Sequence, residues 1–514
     1  MALHNPSTSG ISRRRLIAGM GAGALVAGTG GALLGASPAS AAFSDRFGRM
    51  FPSLPPFGSA TTQVRDALID MARVGGPMDA RDPMSVGAQA LADLQQHSIN
   101  NPDNFSIPQG MTYFGQFVDH DLTFETTAPL GTPVDPTTVP NGRTPALDLD
   151  ALYGKGPTGS PQLYDPADTA KLRIESGGRF EDLPRNANGS AIIFDPRNDE
   201  NLPIGQITAA FILFHNRVVD LVRSQGTPAA QVFTAARQLV TWHYQWIVLN
   251  EFLPLIAGPG VVSTVLNSGR QFYRPEPGPT FIPVEFAAAA YRYGHSQPRP
   301  SYLVNSTGNS GGNPFYALLF DAGQNGSADP SDIRGGKRGA RRYLDYEFWF
   351  QFFDGQVRWS KWIDVRNSTP IFGFPLPPPP AGSPNVNLLA RDMLRQLTFG
   401  IPSGQRIAST IGAPALGAFN FTELAGYGLG LDSNTPLFYY ILKEAQLQAG
   451  GGMLGAVGAR ICAEVFIGIA QLDPGSYLKV QPNWRPTLPA RFSGQFTMAD
   501  LLTYARVDPA SRNT

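Results

Sequence analysis

The stretch Met111-Thr-Tyr-Phe-Gly-Gln-Phe-Val-Asp-His-Asp-Leu122 decides the fold, because it sets a histidine between two aspartates inside an apolar run. Its aromatic and aliphatic residues recur at steps of three and four, which predicts a buried helix. On such a helix Gln116, Asp119 and His120 lie on neighbouring turns. Asp121 projects about 100° away from His120. Burying polar groups costs free energy unless each has a partner, so we expect a cofactor on one side of the helix and a cation on the other.

Composition describes a globular protein with a large core and long ordered loops. The chain has 514 residues with 40 basic and 40 acidic side chains, and 56 glycines and 46 prolines. With a net charge of zero, the composition does not indicate binding to nucleic acid or to an anionic membrane surface. Helical periodicity dominates after residue 42 and period-two alternation is scarce. We therefore predict one mainly α domain over residues 42–514 with little strand, with helices at 206–223, 228–255, 283–293, 343–353, 384–399, 434–449 and 452–471.

The N-terminus resembles a targeting segment. Ser12–Ile17 contains three consecutive arginines, a Gly/Ala-rich apolar stretch follows, and Ala39–Ala41 offers small residues for cleavage. This predicts a cleaved twin-arginine signal peptide over residues 1–41 and a secreted or extracytoplasmic protein. A membrane-anchoring helix is the alternative, and the many glycines argue against it. No later segment approaches about 18 consecutive apolar residues, so we expect no stable membrane insertion after processing.

Cys462 is the only cysteine in the sequence. The chain therefore has no internal disulfide and no cysteine-based zinc or iron–sulfur site. A disulfide-linked oligomer could form only through Cys462, whose apolar surroundings predict a buried thiol that is inert.

Two of the six histidines stand out from the rest. His120 is one, and His295 is the other, because Gly294 beside it removes a side chain where a large group could approach. Arg292 precedes His295 by three residues and would share a helical face with it. A lone buried histidine is more often a hydrogen-bonded core residue, and that is our interpretation of His215 and His243; His4 lies in the signal segment and His97 precedes a polar loop. Together His120 and His295 suit the two sides of a planar metal cofactor.

Two further segments carry polar residues at suggestive spacing. Phe194–Pro203 holds Arg197 and Glu200 just before a predicted helix, although a capping loop would explain the same residues. In Thr144–Gly154, the side chains of Thr144, Asp148 and Asp150 and the carbonyl of Ala146 are hard oxygen ligands, which suit Ca²⁺. The spacing differs from that of an EF-hand.

Taken together, these segments resemble the animal-type haem peroxidases of the peroxidase–cyclooxygenase superfamily, in a bacterial secreted form. Residues 115–121 look like the distal histidine motif, 291–295 like the proximal motif and 195–200 like the distal arginine segment. Residues 144–154 resemble the calcium loop, and Leu389–Pro402 resembles the helix behind the proximal ligand. The motifs occur in the family's order over roughly residues 60–500. The resemblance implies a single large helical haem peroxidase domain that contains haem b and Ca²⁺.

The resemblance also implies a role for each matching residue. His295 would bind the haem iron, His120 would be the distal acid–base, Arg197 its cationic partner, and Gln116 a neighbour that holds water or a halide. Arg292 and Arg395 would meet the haem propionates, Asp119 and Glu200 would form ester links to haem methyls, and Asp392 would hydrogen-bond His295. Asp121, Thr144, Ala146, Asp148 and Asp150 would hold calcium.

The sequence departs from the mammalian pattern in two places. Asn201 stands where one mammalian member has a methionine that forms a sulfonium link, so that link is not expected. Asp392 stands where the mammalian enzymes have asparagine. A carboxylate there would donate more electron density to His295, which disfavours oxidation of chloride.

The function that follows is reduction of hydrogen peroxide with oxidation of small donors through a ferryl intermediate. Phenols, iodide, bromide and thiocyanate are the expected donors. A fatty-acid oxygenase of the same superfamily is one alternative, but the position three residues before the proximal histidine, a tyrosine in that branch, is Arg292 here. A non-catalytic binding protein that keeps the fold is the other, and the presence of His120, Arg197 and His295 together argues against it.

Overall fold

The computed structural model describes residues 43–93, 99–177, 180–339 and 341–507. The predicted twin-arginine segment, its cleavage site at Ala39–Ala41, His4 and His97 lie outside the described residues, so the expectations for them stay predictions. Among the residues that the model describes, no helix combines the length and the apolar character needed to cross a membrane.

Helices carry most of the regular structure, as the hydrophobic periodicity predicts. They are α1 (Thr62–Met71), α2 (Ala88–Ala92), α3 (Gln109–Leu122), α4 (Asp150–Tyr153), α5 (Gly156–Gly159), α6 (Leu202–Ser224), α7 (Val232–Ile247), α8 (Leu253–Ala257), α9 (Pro259–Ser268), α10 (Val284–Ala287), α11 (Leu388–Thr398), α12 (Gly404–Thr410), α13 (Thr422–Ala425), α14 (Leu437–Ala449), α15 (Ala456–Leu472), α16 (Tyr477–Val480) and α17 (Met498–Ala505).

In the part of the chain that the model describes, the strands are short and form two-stranded sheets. They are β1 (Asp103–Pro108), β2 (Tyr164–Asp165), β3 (Asp168–Leu172), β4 (Glu175–Ser176), β5 (Glu181–Asp182), β6 (Ser301–Asn309), β7 (Asn313–Leu318) and β8 (Trp359–Lys361). The antiparallel pairs are β1 with β8, β2 with β3, β4 with β5 and β6 with β7. The mainly α prediction with little strand is confirmed.

Helix α3 is held in place by aromatic packing on its apolar face. The ring of Phe114 stacks on Phe211 of α6 at a centroid distance of 6.4 Å, and that of Phe117 stacks on the same ring at 4.7 Å. Tyr244 of α7 meets all three rings edge-on. Such pairs stabilise the core beyond the apolar area that they bury. The packing leaves the opposite face of α3, with its polar residues, free to line a cavity.

Several predicted helices are confirmed with shifted ends. Helix α6 begins at Leu202, four residues before the predicted start at 206, because Asn201 caps it: the Asn201 side chain accepts a hydrogen bond from the Ile204 amide (3.0 Å). The predictions over 384–399, 434–449 and 452–471 correspond to α11, α14 and α15. The predicted 228–255 helix is three consecutive pieces, α7, a π-helical turn at Val248–Phe252 and α8.

The predicted helix at 343–353 is wrong, since only a 3₁₀ turn forms there, at Tyr346–Phe348. Beyond this turn, backbone groups of the segment bond to other parts of the chain. The Trp349 carbonyl accepts from the Gly110 amide (2.8 Å), and the Phe348 carbonyl accepts from the Arg358 amide (2.9 Å). Its backbone groups are thereby satisfied without a helical ladder.

The predicted helix at 283–293 is broken into two short pieces. Helix α10 ends at Ala287, Ala289 has non-helical angles (φ −136°, ψ −73°), and a 3₁₀ helix runs over Ala290–Ser296. A 3₁₀ helix has three residues per turn, so residues three apart lie on one edge. Arg292 and His295 therefore share a face, as the sequence predicts.

Candidate active site

A cavity of about 280 Å³ lies between α3 and the 3₁₀ helix Ala290–Ser296. His120 and His295 both line it, although they are far apart in sequence. The other predicted residues that line it are Gln116, Asp119, Arg197, Glu200, Arg292 and Arg395. The fold thus brings eight predicted site residues to one cavity.

His120 is buried on α3 and is oriented by Asn198. Its Nδ1 lies 2.8 Å from Oδ1 of Asn198. An amide oxygen can only accept, so Nδ1 carries the proton and Nε2 keeps its lone pair. Burial, together with the positive charge of Arg197, lowers the pKa of His120 to about 4. The imidazole is therefore neutral at pH 7 and can accept a proton at Nε2.

Arg197 lies in the cavity wall, where Asp195 fixes it. Nη2 of Arg197 is 2.7 Å from Oδ2 of Asp195, and Nε is 3.0 Å from Oδ1. Nη2 also donates to the backbone carbonyl of Thr123 (2.5 Å) and, at 3.3 Å, to that of His120. The arginine therefore adjoins His120 through the helix backbone, and its position is held by a fully buried carboxylate.

A polar network surrounds His120 on the distal side. Gln116 Nε2 donates to the Glu200 carboxylate, and Gln116 Oε1 accepts from Nδ2 of Asn201 (3.0 Å). Oε1 of Glu200 is 3.9 Å from Nε2 of His120. Burial raises the pKa of Glu200 to about 7 against the opposing effect of Arg197. Glu200 is therefore partly protonated at neutral pH.

Asp119 also lines the cavity, from α3, and it differs from Glu200 in its charge. Burial alone would raise its pKa, but Arg292 and Arg197 lower the pKa below the usual value. The Thr123 hydroxyl donates to Oδ1 of Asp119 (3.1 Å), and Nη1 of Arg292 is 3.7 Å from Oδ2. Asp119 is therefore ionised and faces the proximal 3₁₀ helix.

His295 is held from behind by Asp392 of α11. Its Nδ1 is 2.5 Å from Oδ2 of Asp392, which is fully buried. Nε2 remains for the cavity. Gln396 of the same helix donates to the Ala288 carbonyl (2.7 Å) and ties α11 to the backbone ahead of the 3₁₀ helix. The predicted hydrogen bond between Asp392 and His295 is present.

The predicted calcium ligands form a second cluster on the opposite side of α3. Asp121, Asp148 and Asp150 each offer a carboxylate oxygen, and these oxygens lie within 4.8 Å of one another. Oδ2 of Asp150 accepts from the Thr144 amide (3.1 Å), and the Ala146 amide donates to the Thr144 carbonyl (2.8 Å). Burial raises the pKa of all three carboxyls, that of Asp150 to about 7, and neighbouring carboxylates add to this at Asp121 and Asp150.

The cavity fits a planar metal cofactor that carries acidic groups. A side chain added at Gly294 would meet no atom within 4 Å, so the backbone beside His295 borders open space. Imidazole nitrogens stand on two sides of the cavity. Arg292 and Arg395 supply cations on the proximal side; the nearest acid to Arg395 is Glu125, whose Oε2 is 4.0 Å from Nη2.

Sequence reasoning missed several residues of the site. Asn198 and Asp195 belong to a segment that we singled out, but nothing in the spacing shows that they contact His120 and Arg197. Arg143 is similar: it donates to Asp195 (2.6 Å) and to the His120 carbonyl (3.0 Å), and it directly precedes the predicted calcium loop. Arg391, next to Asp392, also lines the cavity.

Comparison with known proteins gives a partial match in sequence and a broad one in fold. Residues 127–318 match the animal haem peroxidase family. This range includes Arg197 and His295 but not α3. The chorion peroxidase of Drosophila melanogaster is 31% identical over 187 residues, which is 30% of this chain and 23% of that protein. The match thus spans less than a quarter of that relative's length.

Solved structures with a similar fold cover nearly the whole chain. Peroxidase A from Dictyostelium discoideum has a TM-score of 0.59 at 14% identity, over 91% of this chain and 94% of that one. The fatty acid alpha-dioxygenase of Oryza sativa has a TM-score of 0.56 at 14% identity, over 91% of this chain and 80% of that one. At such identity the likeness concerns the fold alone.

Proposed function

We propose that this chain, whose residues 127–318 fall in the animal haem peroxidase family, is a haem b peroxidase. It would reduce hydrogen peroxide to water and oxidise small electron donors. One observation carries this proposal: His120 and His295 line one cavity, and each has its Nδ1 engaged by a buried partner, so that Nε2 is available on each side.

Haem, when bound, would supply an iron that takes two oxidising equivalents from peroxide and passes them to the donor. His295 would hold the iron through Nε2. Arg292 and Arg395 would pair with the haem's acidic groups. Asp392 would accept the Nδ1 proton of His295 and make the imidazole a stronger donor.

On the distal side His120 is suited to move one proton. Its Nε2 would accept a proton from one oxygen of hydrogen peroxide and return it to the other oxygen, which leaves as water. Arg197 stabilises the negative charge that develops meanwhile. Two phenol molecules, each giving one electron and one proton, would complete the conversion of H₂O₂ to a second water. Iodide, bromide or thiocyanate would instead give two electrons at once, according to X⁻ + H₂O₂ + H⁺ → HOX + H₂O, and we expect them to be better donors than chloride.

Two further features of the proposal concern haem attachment and metal binding. Asp119 and Glu200, which both line the cavity, would form ester links to haem methyls. Each link would replace one C–H bond of a methyl group by a C–O bond, with one H₂O₂ as the two-electron oxidant and two waters as the products. Ca²⁺ would be bound by Asp121, Asp148 and Asp150 with Thr144 and the Ala146 carbonyl, because three carboxylates this close together repel one another without a cation.

We also propose that the folded protein is exported by the twin-arginine route. The support is the sequence of the N-terminal segment, with arginines at 13–15 ahead of a weakly apolar stretch. A fusion that lacks residues 1–41 should stay inside the cell, whereas replacing Arg13 and Arg14 by lysine should slow export.

The fatty-acid oxygenase alternative has less support in the cavity. The position three residues before His295 is Arg292, which has no phenol. The hydroxyl of the adjacent Tyr291 donates a hydrogen bond to the Gly115 carbonyl (3.0 Å). Neither residue offers a free phenol to abstract hydrogen from a fatty acid. A non-catalytic binding protein would have no use for a neutral imidazole with a fixed tautomer beside an arginine held by Asp195.

Peroxide-dependent oxidation of a phenol by the purified protein tests the proposal. Exchanging His120→Gln should lower kcat/KM for peroxide by about 10²–10⁴-fold, the usual worth of a general acid–base, while haem content stays the same. Oxygen uptake with linoleate is the matched measurement for the oxygenase. Unchanged peroxide turnover in the variant, or oxygen uptake without peroxide turnover, would contradict the proposal.

A further inference from the structure

Arg391 differs from the other arginines of the cavity in its partners. Arg197, Arg292 and Arg395 each have a carboxylate within 4.0 Å, at Asp195, Asp119 and Glu125 respectively. Within the ranges that the structure describes, no carboxylate lies within 4.0 Å of the Arg391 guanidinium. Its Nε donates to the Val386 carbonyl (3.2 Å).

Arg391 is nevertheless a buried side chain, with 8% of its surface exposed. Burial lowers its pKa, against the opposing effect of Asp392. Arginine still stays protonated, so the protein holds a positive charge at the cavity without a paired acid. Burying a cation in this way costs free energy that a bound anion would recover.

Apolar side chains make up part of the cavity lining, beside its polar and charged residues. The apolar ones include Leu319, Ile371, Phe374, Leu376, Pro377 and Leu388. Leu388 lies three residues before Arg391 on α11, so the two side chains are neighbours on the helix surface. An arginine without a paired acid, in a cavity that also offers aromatic and aliphatic side chains, suits a ligand with one acidic end and an apolar body.

We propose that Arg391 binds the carboxylate of the electron donor, and that the preferred donors are small aromatic acids, with a phenol ring packed against the apolar residues. The inference rests on the proposed peroxidase function and specifies its substrate class. A planar guanidinium matches a carboxylate through two parallel hydrogen bonds. Arg292 and Arg395 are taken up by the acidic groups of the haem in the proposed function, which leaves Arg391 for the donor.

Two donors that differ only in charge test this inference. 4-Hydroxyphenylacetate and 4-hydroxyphenylacetamide carry the same phenol, but only the first is an anion. Binding of each to the haem-loaded protein is measured by calorimetry without peroxide, and KM is measured with peroxide. The variants are Arg391→Gln, the conservative Arg391→Lys, and Arg274→Gln as a control, since Arg274 is an exposed arginine outside the cavity.

We expect Arg391→Gln to weaken binding of the acid by about tenfold to a hundredfold and to leave binding of the amide unchanged. Arg391→Lys should restore part of the affinity, and Arg274→Gln should have no effect. Unchanged binding of the acid in Arg391→Gln would overturn the inference. Equal losses for acid and amide, or loss of haem from the variant, would also overturn it, because they would make Arg391 a haem-binding or structural residue.

The two proposals can fail separately. If the wild-type protein oxidises the amide with peroxide but shows no preference for the acid, only the inference about Arg391 is wrong. If neither compound is oxidised, the peroxidase function is wrong, and the calorimetric comparison still decides whether Arg391 binds a carboxylate.

Discussion

At the scale of single residues, the two cavity histidines differ in the group that holds Nδ1. His120 is bonded to a neutral amide, Asn198, and His295 to a carboxylate, Asp392. A neutral partner leaves the imidazole weakly basic, which suits a group that must take up a proton and release it again. A carboxylate increases electron donation from the opposite nitrogen, which suits a metal ligand.

The Asp392→Asn exchange tests the second half of that comparison. Removing the charge behind His295 should weaken donation to the iron and raise the Fe(III)/Fe(II) potential. We expect a rise of about 60 mV, the shift that a tenfold change in a one-electron equilibrium gives. Spectroelectrochemical titration measures it. A potential that stays constant or falls would mean that the hydrogen bond does not act on the iron.

Asp119 and Glu200 should attach the haem covalently during turnover with peroxide. Both carboxyls line the cavity on the distal side. Acid–acetone extraction of wild-type protein after exposure to peroxide should leave haem on the polypeptide. Glu200→Gln should retain one link and Asp119→Asn the other, as mass analysis of haem peptides can show. Complete extraction of haem from the peroxide-treated wild type would rule the links out.

At the scale of elements, α3 joins the cavity to the acidic cluster. One face of the helix presents Asp119 and His120, and Asp121 projects from the other toward the loop before α4. There its Oδ2 accepts from the Leu149 amide (3.1 Å) and its Oδ1 from that of Ala151 (3.3 Å). A cation at this cluster would fix the helix that carries the acid–base.

Removing calcium should therefore destabilise the protein and perturb the distal side. Chelation with EGTA should lower Tm by about 3–5 °C, as expected for loss of a ligand present well above its Kd. Adding back Ca²⁺ but not Mg²⁺ should reverse the change, and Asp148→Asn should make Tm insensitive to EGTA. Metal analysis that finds no calcium in the purified protein would show that the cluster is only a capped loop.

Helices α14 and α15 are joined by a buried carboxyl. Oε2 of Glu444 accepts from the amides of Val457 (2.9 Å) and Gly458 (3.3 Å), in the first turn of α15. Burial outweighs these bonds and raises the pKa of Glu444 to about 7. The protonated form is therefore favoured in the folded state, and its contribution to stability is present below pH 4.5 and lost as pH rises through 7.

Glu444→Gln should remove this pH dependence. The amide keeps an acceptor oxygen but has no proton to lose. Relative to the variant, the wild type should lose about 1–3 °C of Tm between pH 5 and pH 8. Scanning calorimetry at several pH values measures the difference. A constant difference across that range would mean that Glu444 is ionised throughout.

At the scale of the whole molecule, the sequence predicts the residues that line the site better than the residues that hold them in position. The periodicity of 111–122 and the three-residue spacing of Arg292 and His295 predicted which side chains share a face, and the resemblance to the haem peroxidases predicted that the two faces meet. The contact of Asn198 with His120 joins residues 78 apart, and no local pattern encodes such a contact. Arg391 was missed because its significance lies in the absence of an acid, which only the packing reveals.

The helix predictions succeeded and failed for a related reason. Where one face is apolar, as in α6, the period identifies the helix, and local caps decide the ends. In the 343–353 segment, Tyr346, Phe348 and Trp349 are all buried, and apolar residues on every side give no useful period. That segment is shaped by hydrogen bonds to distant strands and helices.

The central claim, that haem binds between His120 and His295, is tested most directly by the spectrum of purified protein and of its His295→Ala variant. The wild type should hold one haem b per chain, with the Soret band of a five-coordinate, histidine-ligated ferric iron. The variant should lose that spectrum, and imidazole added to it should restore the band in part. A spectrum that is unchanged by His295→Ala would contradict the account.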